Sequence, residues 1–518
     1  MKQLLSLLFS LCWLGSLAQS GVTIPVISQT ATSPAAPYSG TVNLYKRADG
    51  YLYQKSKLGA EEGLKIDART NELPKLYMLI SSVRSSTLSS SASPLSIYVG
   101  ENGRRGLFRL DASDAVSADD TILTIVTQAG FRYKRDLDGA YINARGHADA
   151  KGDGVTDDTQ ALQRAINAAT KANNPGTYAA NSPSNGFSNV VYIPHGLYKI
   201  THELYIKGSV TILMDMASSY GGTRAVQVTA GQHLFHIIKD SDNISSGVHF
   251  VGGILKAGSA TSLAGTALVY GGSSPLDANN HSTDFDNVWF QTPESYAIHI
   301  KQGDDIHIRN CRFDVSPYHS IRLGDSTHVV TNASIEGCTF FDIRAGAIDL
   351  ISAEGLSIRD NKVYWNSANR IPYFVSVLNP SVVTRLRIRG NEGEGVNQLF
   401  ISNASLDNVS ITQNSFKDCR KAAIQLAGGG VYTRFDISHN ALDGNFKDTL
   451  PGGYEGSPLF MQGTGLQYSL VVGNNLYHTS GGTVNKPIQL DTSRVTGSIV
   501  HSNVTAGYSA PVYTHNTP

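Results

Sequence analysis

Three short strings, "AIHI" at 297–300, "SIRL" at 320–323 and "AIDL" at 347–350, share one pattern: small or apolar, aliphatic, variable, aliphatic. Their variable residues are His299, Arg322 and Asp349, a base, a cation and an acid at 23- and 27-residue spacing. Side chains alternate along a strand, so flanking aliphatics that face a core force the middle residue outward. If the three strings stack as neighbouring strands, those three side chains form one polar column. Such a column can neutralise a bound carboxylate, take up a proton and return it. Lys301, Asp304, Asp305, His319, Asp325, Arg344 and Glu354 cluster around it in sequence. The same pattern continues through Ser376, Phe400, Gln425, Phe460 and Gln489. There Phe400 would offer a ring face for stacking, with Gln425 beside it. The alternative is structural: outward strand positions are polar in any such protein, and an Arg beside two acids can be a solvated ladder pair.

What would hold that column together is a repeat. The unit "apolar, two residues, Asn or Cys, one residue, apolar" recurs as "IRNCRF", "IEGCTF", "IRDNKV", "IRGNEG", "ITQNSF", "ISHNAL" and "VVGNNL". Its marked residues, Cys311, Cys338, Asn361, Asn391, Asn414, Asn440 and Asn474, lie 23 to 34 apart. A period that loose fits coils of a parallel β-helix with loops of varied length, and not a propeller or a leucine-rich arc. The marked position is the tight bend between two strands, where an inward Asn satisfies backbone groups and bonds its copy one rung away. Cys311 and Cys338 occupy the bend as small buried residues, and Cys419 lies just after it. Parallel stacking points their Cβ atoms the same way, which predicts free thiols.

An open β-helix end needs a cover. In "KGDGVTDDTQALQRAINAATKA" the run Ala161, Leu162, Ala165, Ile166 and Ala169 makes one helical face. Asp157 or Asp158 is the expected cap, with Gln160 at a capping-box position. Asp153, Asp157 and Asp158 lack calcium-loop spacing, so they read as helix starters.

Composition agrees. The 518 residues carry 42 Lys+Arg against 42 Asp+Glu, with 50 glycines and only 16% charged residues. That balance offers nothing to nucleic acid, and the glycine count favours turn-rich β structure. Residues 1–18 read as a signal peptide, basic then apolar, cut near Ala18–Gln19. No later segment is apolar enough to span a bilayer, so export to the periplasm, cell surface or medium is expected. Residues 19–40 read as a linker, 41–84 as a small β module with an Asp-Gly hairpin, and 85–137 as a second small β segment. Residues 138–518 are the main domain.

"KGDGVTDDTQALQRAI" followed by "VVYIPHGLYKI" resembles the start of the pectate-lyase-3 type domain, shared by rhamnogalacturonases, epimerase-like proteins and phage tailspikes. Over about residues 138–510 the resemblance implies an all-β fold: a right-handed, single-stranded parallel β-helix with an N-terminal capping helix. It also implies that the His299 strand lines a sugar cleft. "AIHIKQG" with "IRLGD" resembles the chondroitin/alginate lyase β-helices, placing Lys301 and Arg322 at that family's catalytic positions. Glu294 then matches one of its calcium-binding acids, and Asp304 and Asp305 are further acids for such an ion.

Three functions fit. A lyase would use Arg322 to neutralise a uronate carboxylate and Lys301 or His299 to remove the C5 proton. An inverting hydrolase would use Asp325 and Asp349, roughly 8 Å apart on adjacent coils. A tailspike-like binding protein would need neither, and as a spike it would call for a homotrimer. His319, Arg344, Glu354, Phe400 and Gln425 would contact the glycan. All three readings share a polysaccharide partner and no membrane or nucleic acid.

Overall fold

A computed structural model describes strands at 43–46, 52–55, 61–64 and 75–77 and then most of 79–506. Residues 88–92, 94, 138–140, 174–188, 216–221, 239–243, 258–265, 273–278, 366–369, 379–381, 428–430, 445–456, 462–464, 479–486 and 491–494 are outside the description. The expected signal peptide and linker also lie outside the described residues.

The chain divides into two units, Met1–Leu76 with Ser89–Tyr98, and Tyr77–Leu88 with Val99–Pro518. In the first unit, Asn43–Lys46, Leu52–Lys55 and Glu61–Leu64 form an antiparallel meander, and the expected hairpin pairs Asn43 with Lys55. In the second, Gly106–Asp111, Arg132–Arg135 and Thr124–Val126 pair antiparallel ahead of the main body.

That body is a parallel β-solenoid. Each coil contributes to a 13-stranded sheet, to an 11-stranded sheet and to a third long ladder that starts at Ile142–Asn143. The bore is packed with Ile, Val, Leu and Phe, and the rings of Phe290, Phe313 and Phe340 stack at 4.9 and 4.8 Å. Burial of that apolar area is the main driving force for stacking the coils.

The bends work as expected. Asn361 donates to Asn391, Asn391 to Asn414, Asn414 to Asn440 and Asn440 to Asn474, each at 2.9 Å from Nδ2 to Oδ1. Each also bonds backbone: Asn391 Nδ2 reaches the Ile358 carbonyl, and its Oδ1 accepts the Asn361 amide. Asn503, absent from the sequence-derived set, adds one more rung below Asn474. The amide of Cys338 bonds Asn361 Oδ1, and Thr339 bonds the carbonyl of Cys311, which places these residues on neighbouring rungs. Cys311, Cys338 and Cys419 are free and buried. The residue before each rung turns left-handed, from Asn310 (φ 54) and Gly337 (φ 63) to Gly390 (φ 67) and Gly473 (φ 64). At Gly390 a Cβ would come within 2.7 Å of the movable Asp360 carboxylate, and it is the left-handed φ that favours glycine there.

Helix Thr159–Asn173 covers the first coil. Ala161, Leu162, Ala165, Ile166 and Ala169 are buried against it, as the spacing predicts. Its start differs in detail. The Asp158 carbonyl accepts the Leu162 amide, while its carboxylate turns back to the amides of Lys151 and Gly152. Asp157 takes the Thr159 amide and hydroxyl, and Asp153 the amides of Val155 and Thr156. Gln160 is exposed rather than closing a capping box. These aspartates shape the turn and the helix entry.

Candidate functional site

The 11-stranded sheet carries the polar column. Strand register pairs His299 with Arg322, Arg322 with Asp349 and Asp349 with Ser376. The column runs on toward the N-terminus through Tyr270, His236 and Tyr205. Toward the C-terminus it continues through Ile401, Gln425, Phe460 and Gln489.

Phe400 requires correction. It pairs with Val375 and Ile424, is fully buried, and belongs to the core, so it does not stack on a sugar. The outward residue is Ile401. In "LFIS" the third residue, Ile401, aligns with Ser376, and a one-residue slip to Phe400 moves the side chain to the opposite face. Gln425 is in the column, nearly buried, and accepts a bond from Gln398 at 2.7 Å.

Around Arg322 the side chains are tied together. Its Nε lies 3.3 Å from Asp349 Oδ2, and an Nη donates to the Tyr296 hydroxyl at 2.5 Å. The guanidinium also lies 5.3 Å from the Tyr296 ring centre. Asp349 accepts from the Ser376 hydroxyl at 2.9 Å, and His319 Nδ1 stands 3.8 Å from Asp349 Oδ2. On its other side His319 Nε2 meets the Tyr373 hydroxyl at 2.8 Å. A carboxylate, an imidazole and a phenol thus stand in line beside a half-exposed arginine.

Burial sets the protonation of these groups. It pushes His319 below its ordinary value with Arg322 adding to the effect, while Asp349 opposes it. Burial first, and the Asp349 charge second, push Tyr373 up to about 12. His299 is driven down to about 3, by burial first and then by the charges of Arg322 and Lys301. It is nearly inaccessible, between the rings of Tyr270 and Tyr296, and neither ring nitrogen has a hydrogen-bond partner among the described residues. Unpaired buried nitrogens are costly, so a ligand hydroxyl reaching His299 would gain more than it would from a solvated imidazole. Lys301 follows His299's strand, with its ammonium 5.4 Å from the Tyr270 ring centre.

Of the remaining expected residues, Asp325 is close enough for its charge to act on His299, and the others lie elsewhere. Asp325 lies in the turn after the Arg322 strand, where Thr327 and His328 donate to it. Burial works against ionisation, but those donors hold its carboxylate well below the usual range. A carboxylate so held makes a poor general acid. Arg344 is exposed in a loop. Glu354 and Asp304 lie on the third ladder: Glu354 pairs with Arg385, and Asp304 accepts from Thr331 and Asn332. Asp305 pairs with His307, and Glu294 accepts the Gly231 amide at 3.0 Å. Glu294, Asp304 and Asp305 therefore serve separate partners, and no three His, Cys, Asp or Glu among the described residues converge as metal ligands. The residues missed from sequence are Tyr296 and Tyr373. Both sit in their strands at positions the aliphatic pattern does not mark.

Residues 296–477 match the family described as right handed beta helix region. Residues 82–138 match a phage tail protein small four-stranded beta-sheet domain. A glucan 1,3-beta-glucosidase of Cochliobolus carbonum is 32% identical over 92 residues, which span 18% of this chain and 10% of that protein. The chain thus covers only a tenth of that relative's length. Among solved structures, DFA-IIIase from Arthrobacter chlorophenolicus A6 without its lid superposes with a TM-score of 0.53 at 14% identity, covering 71% of this chain and 99% of that one. The tailspike gp42 of Acinetobacter phage vb_AbaP_AS12 gives 0.52 at 11% identity, covering 84% and 73%. These likenesses agree on fold: the chain is a parallel β-solenoid whose central coils match the right-handed β-helix family.

Proposed function

We propose that the chain acts on a uronic-acid-containing polysaccharide and cleaves it by β-elimination. The observation that carries this reading is Arg322, a half-exposed cation at the centre of the column with the Asp349–His319–Tyr373 line beside it. Arg322, helped by Lys301, pairs with the substrate carboxylate and stabilises the negative charge that develops when C5 loses its proton. Tyr373 oxygen accepts that proton as its own passes to His319 Nε2. Asp349 steadies the imidazolium so formed. The C4=C5 bond forms, the C4–O bond breaks, and the proton returns through the same pair to the leaving oxygen. His299 is too weak a base for this step and contacts substrate instead.

The carbohydrate names among the relatives support a glycan partner. The glucosidase likeness favours a second reading, hydrolysis, in which Asp349 would be one of two carboxylates. Against it, Asp325 is committed to its own turn. Incubation with uronate polymers separates the readings: elimination gives an ultraviolet-absorbing unsaturated end, hydrolysis gives reducing ends without it, and a binding spike gives neither. Residues 1–18, read as a signal peptide, keep export as part of the proposal, and no described helix is long and apolar enough to cross a membrane.

A further inference from the structure

At the N-terminal end of the solenoid, the loop carrying Arg105, the short helix Ala144–Ala148 and Pro194 of the first coil border an open cavity of about 570 Å³. Three cations line it, Arg105, Arg145 and Lys151, and no Asp or Glu among the described residues does. Its walls are held from behind. Buried Arg135 donates to the carbonyls of Arg105 and Arg104 at 2.6 and 3.0 Å, and the Asp149 amide donates to the Gly103 carbonyl at 2.9 Å. Arg145 passes between two glycines: a Cβ at Gly152 or Gly196 would stand 2.6 or 2.7 Å from its Nη2, which donates to the Gly152 carbonyl at 3.0 Å.

Acceptors around the cavity are already engaged. Asn143 Oδ1 takes the amides of Arg145 and Gly146 at 2.9 Å each. Asp149 pairs with Lys151 at 2.5 Å, Glu101 serves Arg104 and the Ile80 amide, and Asp158 takes the amides of Lys151 and Gly152. Donors remain. Arg105 is exposed and enters no ion pair among the described residues, and the buried Arg145 Nε has no partner there. Further positive charge lies close by: burial first, and the charge of Arg104 second, lower the pKa of Arg164, with Asp149 opposing.

We propose that this cavity binds a small organic phosphate monoester. Phosphate offers acceptors only, which matches a lining with donors to spare, and a guanidinium fork can hold two of its oxygens. A phosphate monoester carries close to two negative charges at neutral pH, so it draws more from three cations than a singly charged sulfate ester does. A bare phosphate would fill the room of only a few waters, about 30 Å³ each. The cavity instead has the size of a small-molecule site, about 300–1,000 Å³, and Pro194 and Ala150 offer apolar lining to the carbon body of an ester. The inference is independent of the reading of Arg322.

The test is calorimetric titration of the full chain at pH 7.5 and fixed ionic strength with glucose 6-phosphate, glucose 6-sulfate, inorganic phosphate and glucose. Glucose 6-phosphate should bind one to one, about tenfold tighter than glucose 6-sulfate or inorganic phosphate, and glucose should give no heat. Arg105→Ala should weaken glucose 6-phosphate about tenfold or more with the urea midpoint unchanged, since Arg105 is exposed. Arg359→Ala removes an exposed cation on a distant coil and should change nothing. Absence of glucose 6-phosphate binding, or binding that survives both Arg105→Ala and Lys151→Ala, overturns the site. Inorganic phosphate or the sulfate ester binding as tightly as glucose 6-phosphate overturns the assignment to a phosphate monoester.

Discussion

His319 and Tyr373 are 54 residues apart in the chain, and their polar side-chain atoms are 2.8 Å apart. Their strands lie two rungs apart with Gly346–Leu350 between them, and the two side chains meet over Gly346, where a Cβ would strike the Tyr373 ring at 2.2 Å and His319 at 3.0 Å. Asp349, on the coil between, completes the line from the His319 side. Tyr373→Phe removes only the hydroxyl, so binding should hold while kcat falls about 100-fold or more. Steady-state kinetics on a uronate polymer check this, and an unchanged kcat removes Tyr373 from the proton path.

The same pair predicts a pH dependence. His319 must be neutral to receive a proton, and burial lowers its pKa from the ordinary 6.5. Neutral imidazole then persists below pH 6.5, so kcat/KM should hold as pH drops through that value and fall only on further acidification. An acid limb at or above 6.5 in the pH profile would count against His319.

Asp349 distinguishes the chemistries. It accepts from Ser376 and steadies His319 and Arg322 without touching the scissile bond in an elimination. Asp349→Asn should cost about tenfold in kcat and shift the acid limb downward, since the imidazolium loses its counter-charge. Complete loss of turnover would fit a hydrolytic carboxylate instead.

Acid should also unfold the protein early. His147 and His299 are each held down to about 3, mainly by burial, and His319 is lowered by the same cause. The unfolded chain binds protons at these sites near 6.5, so it gains protons that the folded chain refuses. The stability they support is complete above about 6.5 and declines as pH drops toward 3. Urea midpoints across that window should fall, and less so in His147→Gln. A midpoint that stays flat from pH 6.5 to 4 contradicts this.

The bend ladder should be stiff to substitution. Asn414 donates to Asn440 Oδ1 and to the carbonyls of Ile388 and Thr412, and its own Oδ1 accepts from Asn391. Asn414→Ala strands several buried groups and should cost about 2 kcal/mol or more in denaturant unfolding. A change under about 0.5 kcal/mol would show that water or relaxation satisfies them.

Legibility in the sequence followed periodicity. The Asn/Cys bend and the aliphatic pairs are repeated many times, so the coils, the free cysteines and the His299–Arg322–Asp349 register could all be read from spacing. The capping helix was legible because its apolar face has helical period. What was not legible rests on single events. Phe400 lies in the unbroken apolar run Leu399–Phe400–Ile401, so the alternation has two frames. Tyr373 and Tyr296 reach the site through long side chains from unmarked positions. Glu354 and Asp304 look close in sequence but fall on another face, because each coil turns corners whose lengths the repeat does not specify.

The most direct test of the account is Arg322→Ala assayed for unsaturated uronide. Wild-type protein with a uronic-acid-containing polysaccharide should develop ultraviolet absorbance in step with new reducing ends. Arg322→Ala should lose about two to three orders of magnitude of that rate while the protein stays folded at the assay temperature, with only a lowered unfolding midpoint from the unpaired Asp349. Reducing ends that form without absorbance, or a variant that retains the wild-type rate, would contradict the elimination mechanism.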